Sequence, residues 1–250
     1  MKRSRDAAAL IRRSTARLYG KANSKWPEVD GWNEYKHRET ERFILRTGSK
    51  ILQNARCILD AGAGDSAYEW MPSTCISLDR HHSQISEKRN AVVGNVERMP
   101  FTNGYFNLVV CIGSVLNYAS AAETLNEFAR ITAAGGHIYL HFETSTSFEH
   151  LFNTGWGASV HLVRTTNASR PDYIWVYSPK YVRALLAGLH FKVIQSARFH
   201  TLSALCCRLG ISQTRAHRFA RFDRAAALLN YFSDDVVILA QKVEGAVDET

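Results

Sequence analysis

The residues from Cys57 to Asp65 bring together three features that bind a nucleotide-like ligand: a short apolar run, an acid, and a Gly-x-Gly turn. Apolar runs of this length suit strands buried on both faces of a parallel sheet. Glycine after such a strand lets the backbone turn sharply and lie against a ligand, because no β-carbon blocks the approach. Gly62-Ala63-Gly64-Asp65-Ser66-Ala67 fits the relaxed dinucleotide pattern, and Asp79 follows at roughly the twenty-residue interval of a ribose-binding acid. The charges point elsewhere. Asp60 and Asp65 flank the turn and would repel a pyrophosphate, whereas a cationic ligand is attracted.

Further stretches extend this reading. Ile58-Leu59-Asp60-Ala61-Gly62-Ala63-Gly64 is followed by Cys75-Ile76-Ser77-Leu78-Asp79, by Gly94-Asn95-Val96-Glu97-Arg98-Met99-Pro100-Phe101, and by Tyr105-Phe106-Asn107-Leu108-Val109-Val110-Cys111. Ala133-Ala134-Gly135-Gly136 then leads into His137-Ile138-Tyr139-Leu140. In this order and at these intervals the chain resembles the class I, Rossmann-like S-adenosylmethionine-dependent methyltransferases, over about residues 55–143 and more loosely over 178–242. S-adenosylmethionine carries a sulfonium and an ammonium and no phosphate, which agrees with the acidic turn. The resemblance implies Asp60, Gly62 and Gly64 in the cofactor turn, Asp79 on the ribose hydroxyls, Asn95 with the Val96 amide at the adenine, and Cys111 beside the cofactor at the end of the fourth strand.

Three positions depart from the family pattern. Ser66 stands where many members carry a third glycine, Asn95 replaces the usual acid, and Asn107 replaces a common aspartate. The Asn95 side-chain carbonyl retains the capacity to accept from an adenine amino group. These departures keep open a second reading, a cofactor-binding scaffold without activity. A nicotinamide-dependent oxidoreductase is a third, disfavoured by Asp60.

Methyl transfer from a sulfonium is an in-line displacement, so the protein chiefly aligns the nucleophile and excludes water; a base is needed only where the acceptor must lose a proton. Acceptor residues are therefore sought at the strand ends. Ser114, Asn117 and Tyr118 follow the fourth strand, and His141 and Glu143 end the fifth. His141 suits proton acceptance from a hydroxyl, because imidazole titrates near neutrality, or else hydrogen-bonds within the sheet. Glu143 orients an amine or caps the next loop. Trp26, Trp32 and Tyr35 are placed to close over the ligands. Cys111-Ile112-Gly113-Ser114 lacks the Asn/Asp-Pro-Pro-Tyr/Phe pattern of enzymes that methylate exocyclic base amines.

The elements that must carry these residues alternate. Strands are expected over 56–61, 74–79, 91–95, 105–112, 136–143, 191–199 and 236–241, and helices over about 37–53, 66–71, 83–90, 120–132, 179–186 and 202–231. This predicts an α/β fold: a Rossmann-like, mostly parallel seven-stranded sheet with helices on both faces, an N-terminal helical cap and a late helical insertion. Residues 1–54 form a basic tail and cap, and 55–250 the methyltransferase domain. Residues 144–177, rich in aromatics, read as an excursion over the carboxyl ends of the strands or as a surface hairpin.

With 250 residues, 46% hydrophobic and 22% charged, the composition is that of an ordinary globular protein, and no apolar run is long enough to span a bilayer. The five cysteines show no metal-ligand spacing and suit a reduced, cytoplasmic setting; no metal is expected. The net charge of +8 concentrates in the first 25 residues, read as a solvated tail, and in Arg208, Arg215, Arg218, Arg221 and Arg224. Such clusters suit an anionic partner, RNA or an acidic membrane surface, as well as a plain solvated face. A small-molecule acceptor is the favoured partner, with RNA the alternative.

Overall fold

The computed structural model describes residues 2–19, 31–65, 68–167 and 170–244. Trp26, Ser66 and the last part of the basic amino-terminal stretch, singled out from the sequence, lie outside the described residues. Seven strands form one sheet: β1 (Ile58–Ala61), β2 (Ile76–Asp79), β3 (Ala91–Val93), β4 (Phe106–Cys111), β5 (Thr132–Glu143), β8 (Phe191–Phe199) and β9 (Asp235–Lys242). Their spatial order is β3-β2-β1-β4-β5-β9-β8; the first five and β8 run parallel, and β9, between β5 and β8, runs antiparallel to them. The expected architecture is therefore observed. Order reverses between β1 and β4, and in such a sheet the crevice outside the carboxyl ends at that reversal receives the ligand.

Local chemistry explains the main elements. All four residues of β1 are buried, as a strand covered on both faces requires. Asn107 fastens the start of this strand, its side-chain carbonyl accepting from the amides of Arg56 at 3.3 Å and Cys57 at 3.2 Å. Helix α4 (Ala121–Ile131) opens on Ser120, whose hydroxyl accepts from the Glu123 amide, and buries Leu125 and Phe128. Helix α5 (Pro179–Gly188) likewise opens on Ser178, with proline in its first turn. These helices cover one face. Helix α2 (Gly31–Asn54) covers the other, packing Phe43 and Ile44 with Ile58, Leu108 and Tyr139.

Several segments differ from expectation. Residues 68–71 form a turn, not the helix expected over 66–71, and α3 is confined to His82–Ile85. The amino-terminal segment is a helix, α1 (Lys2–Tyr19), not a loose tail; Ala7, Ile11, Ser14 and Thr15 share one buried stripe at helical spacing. Residues 144–177 make both alternatives true. β6 (Val160–Asn167) and β7 (Arg170–Tyr177) form an antiparallel hairpin, and that hairpin stands over the strand ends. The late insertion breaks into α6 (Thr201–Arg208), α7 (Gln213–Ala216) and two 3-10 turns, His217–Phe222 and Ala227–Phe232. Gly210, at φ +87°, stops α6.

The contact of α2 with the sheet leaves no room at Gly48, where a β-carbon would meet the buried Tyr139 hydroxyl, itself 2.9 Å from the Thr47 hydroxyl. Gly48→Ala is therefore expected to lose about 1–3 kcal/mol by overpacking, more than the roughly 1 kcal/mol that alanine gains as a helix former. Urea unfolding of the two proteins measures the difference.

Candidate active site

A cavity of about 890 Å³ lies over the carboxyl ends of β1, β2, β4 and β5, within the range of roughly 300–1,000 Å³ usual for small-ligand sites. Its first half is built by the glycine turn. The amides of Gly62 and Ala63 donate to the Leu78 carbonyl at 2.8 and 3.0 Å, which binds the turn to β2. Gly62 and Gly64 have φ of +80° and +52°. A β-carbon on Gly64 would meet no atom within 4 Å, so the bare backbone there opens onto the cavity. Asp79 stands beside it, accepting from the Gly64 amide at 3.1 Å and the His81 amide at 2.8 Å. Val96 and Asn95 line the adjoining wall. This cradle fits S-adenosylmethionine: an open glycine edge, a carboxylate at its side, and no need for a phosphate-binding cation.

Three cofactor assignments are modified by the geometry. Asp60 is 2% exposed and stands behind the turn, not on the cavity wall. Burial pushes its carboxyl up to about 6, against the pull of Lys88 3.8 Å away. Its charge thus reaches the cavity only through the turn. Cys111 is wholly buried in the core; Ile112, Gly113 and Ser114, the next three residues, line the cavity instead. The Asn95 carbonyl already accepts from Arg80 at 3.0 Å and from the Glu97 amide at 3.2 Å, so it is not a dedicated adenine acceptor.

The second half centres on Lys36, which sequence reasoning missed. Its ammonium, 6% exposed, lies 2.6 Å from Glu143, 3.4 Å from Asp235 and 3.3 Å from the Ser114 hydroxyl. Burial opposes its charge, but Asp235 and Glu143 outweigh burial and hold it protonated. Ser114 sits at φ +63°, a conformation unusual outside glycine. Its amide donates to His141 Nδ1 at 3.0 Å and its hydroxyl to Glu143 at 2.9 Å, and these bonds hold the strained residue in place.

His141 is not brought to the cavity. It is wholly buried, and because Nδ1 accepts from Ser114, Nε2 carries the proton and donates to Asp235 at 2.9 Å. Both ring nitrogens are engaged, which makes it a positioning residue. His200 binds the other Asp235 oxygen through Nδ1 at 2.6 Å and stacks on Trp32 at 4.0 Å. Burial keeps His200 neutral; Asp235, despite burial, is held far below the usual carboxylate range by Lys36 and by both histidines.

Glu143 and Tyr118 do line the cavity. The Tyr118 hydroxyl donates to buried Asp172 at 2.8 Å. Asn117 is buried, donating to the carbonyls of Glu143 at 3.0 Å and Trp175 at 2.6 Å, and so ties the hairpin to β5. Trp32 faces the cavity, whereas Tyr35 turns to the Ala220 carbonyl. In the 144–177 segment Trp156, Tyr173, Trp175 and Tyr177 do not line the cavity; Trp156 stacks with Phe232 and donates to the Thr146 carbonyl. From that segment the cavity receives Glu149, His150, Asn153, Val163, Thr165 and Ile174 instead.

Glu149, His150 and Asp234 were not anticipated. Glu149 and His150 lie in a 3-10 turn at Phe148–His150, and Asp234 immediately precedes β9. Burial, then the Glu143 charge, pushes Glu149 up to about 7; burial and the Asp235 charge hold Asp234 well above the usual range. His150 is held low by burial, hence neutral near pH 7. The one available signal was the adjacent acid pair Asp234-Asp235 directly before the wholly apolar Val236–Ala240.

Residues 59–140 match a methyltransferase domain family. A demethylmenaquinone methyltransferase of Mycolicibacterium gilvum (strain PYR-GCK) is 28% identical over 158 residues, covering 58% of this chain and 68% of its own. The fold is shared with a Burkholderia thailandensis 1,6-didemethyltoxoflavin-N1-methyltransferase at a TM-score of 0.56 and 13% identity, over 96% of this chain and 90% of that one. An S-adenosylmethionine-dependent methyltransferase of Mesorhizobium loti is similar at a TM-score of 0.55 and 14% identity, over 81% and 97%. Residues 59–140 are thus a methyltransferase domain, and the strand order and the glycine cradle are those of the class I, S-adenosylmethionine-dependent fold.

Proposed function

We propose that the enzyme methylates a small-molecule acceptor, and that this acceptor enters the half of the cavity walled by Tyr118, Glu143, Glu149, His150 and Asp234. The observation that carries the reading is the single continuous cavity of about 890 Å³, which runs from the glycine turn to these residues beneath the β6–β7 hairpin and α2. Its open volume speaks against a scaffold with a filled cofactor pocket. Two relatives named for small-molecule methylation support the same reading. No observation favours an RNA acceptor. Among the described residues no helix is long and apolar enough to cross a membrane. The five free cysteines agree with a reduced, cytoplasmic setting.

When bound, S-adenosylmethionine supplies an electrophilic methyl group. The chain's own work is then to hold the cofactor, orient the acceptor and move a proton. Asp79, Gly62, Gly64 and Val96 are assigned to cofactor holding. Asp60 acts from behind the turn. Glu143 is fixed by Lys36 and Ser114 and is assigned to acceptor orientation. Glu149, with its proton affinity raised to the neutral range, is assigned as the proton acceptor. The charges of Glu143 and Asp235 help keep that affinity high.

Asp79→Ala is expected to weaken S-adenosylhomocysteine binding by roughly ten- to a hundredfold, the loss of a charged hydrogen-bond partner, measured by isothermal titration. Unchanged affinity would remove Asp79 from the cofactor site.

Glu149→Gln is expected to lower kcat by about a hundredfold or more and to flatten the acid limb of the pH–rate profile, which in the parent rises through about pH 7. Stability should move the opposite way. The folded parent retains a proton that the unfolded chain releases at a pKa of roughly 4.3, so ionisation of Glu149 weakens the fold as pH rises through 7. The variant is therefore expected to melt higher than the parent at pH 8 and to match it at pH 4. A pH–rate profile unchanged by the substitution would rule out Glu149 as the base. Screening methyl transfer from labelled cofactor into a small-molecule extract and, separately, into RNA tests the acceptor class; label recovered only in RNA would overturn it.

A further inference from the structure

The late insertion, residues 201–232, combines two properties that its packing role does not require. It carries Arg208, Arg215, Arg218, Arg221 and Arg224, all exposed. Its one acid, Asp223, is 5% exposed and is taken up by the amides of Thr201 and Leu202 at 3.0 and 2.9 Å. The segment therefore presents cations without a compensating exposed carboxylate. Among those arginines stand exposed apolar side chains: Leu209 is 73% and Leu228 98% exposed, and Phe219, Phe222 and Tyr231 are exposed as well. Neighbouring Phe152, 83% exposed, joins the group through Arg208, whose guanidinium lies 5.8 Å from its ring; Arg221 covers Phe222 at 4.7 Å.

Exposed large apolar residues are common singly, but a group of them within one segment marks an interaction surface. Interleaved arginines select the partner. A protein groove lined by acids would satisfy the charge but not Leu228 and Leu209, which project from short turns and not from one helical stripe. A nucleic acid would satisfy the charge and leave the aliphatic side chains in water. An anionic lipid surface satisfies both, with phosphates at the guanidinium level and acyl chains below.

We propose that residues 201–232, with Phe152, form a docking surface for an anionic lipid bilayer, on which the enzyme rests peripherally. The same insertion contributes Cys207, Ile211 and Thr214 to the wall of the acceptor cavity. Docking through it brings that cavity next to the lipid, a position suited to an acceptor that partitions into the membrane. The surface itself stands apart from the methyl-transfer reading, because its chemistry involves neither the glycine turn nor the acidic wall.

The test is sedimentation of the full chain with vesicles, without cofactor or acceptor. Vesicles of phosphatidylcholine mixed with phosphatidylglycerol are expected to bind it at least about tenfold more tightly than phosphatidylcholine alone, with binding falling about tenfold as salt is raised from roughly 0.1 to 0.5 M. Leu209→Ser with Leu228→Ser is expected to weaken binding about fivefold or more, and Arg218→Glu with Arg221→Glu and Arg224→Glu to abolish it. Both variants should keep the parent's melting temperature and its S-adenosylhomocysteine affinity. Equal binding to neutral vesicles, or none to anionic ones, overturns the proposal. Two further results do so too: a dimer by light scattering that the leucine variant dissociates, which assigns the face to a second copy, and retention of RNA lost only in the arginine variant.

Discussion

The site depends on one buried ammonium. Taking Lys36 out of water costs several kcal/mol, and the loss is offset only because three neighbouring structures converge on it: Glu143 at the end of β5, Asp235 at the start of β9, and the Ser114 hydroxyl after β4. These contacts fix the first turns of α2 over the carboxyl edge. They also decide which way Glu143 faces. Without the ammonium, Glu143 and Asp235 would be uncompensated charges beside Asp234 and Glu149, and the edge of the sheet would repel itself. The wall of the acceptor chamber is therefore an electrostatic construction before it is a packing one.

That construction governs proton affinity. One cation serves four carboxylates, and its charge goes chiefly to the two it touches. Asp235, contacted also by His141 and His200, is held ionised, while Glu149 and Asp234 are left to burial and to their neighbours' negative charge. His141 and His200 consequently face Asp235 and not the cavity. They spend both ring nitrogens, or in His200 one nitrogen and a stacking face, on keeping a single aspartate charged. A proton-accepting carboxylate near neutrality arises as the by-product of stabilising its neighbour.

The cofactor half was legible because its determinants are local in sequence. An apolar strand, two glycines at positive φ and an acid closing the next strand lie within Ile58–Asp79, and the alternating elements beyond them carry enough apolar pattern to be recognised as a parallel sheet. The acceptor half was not, because its partners are distant. Lys36 meets Glu143 across 107 positions, and His141 meets Asp235 across 94. Read alone, His141 at a strand end is a candidate base; only the register of β5 with β9 shows that its Nε2 is already committed. Cys111 was misjudged by a small shift, since the cavity begins one residue later, where the backbone turns left-handed at Gly113 and Ser114. Asn107, a departure from the family's common aspartate, proved to be a clamp on the two amides just before β1.

The two halves also differ in how firmly they are held. The glycine turn hangs on backbone hydrogen bonds between adjacent parallel strands, which any sequence compatible with the sheet supplies. The acceptor walls are hung from the sheet by side chains: Asn117 to the hairpin, Lys36 to α2, and Asp223 to the start of α6. Each is a buried polar contact whose loss leaves its partners unsatisfied, at about 1–3 kcal/mol or more. The cofactor site is thus set by the fold itself, while the acceptor site is set by a few specific residues. Exchanging those residues, with the hairpin and insertion they hold, would change the acceptor chamber and leave the glycine cradle as it is.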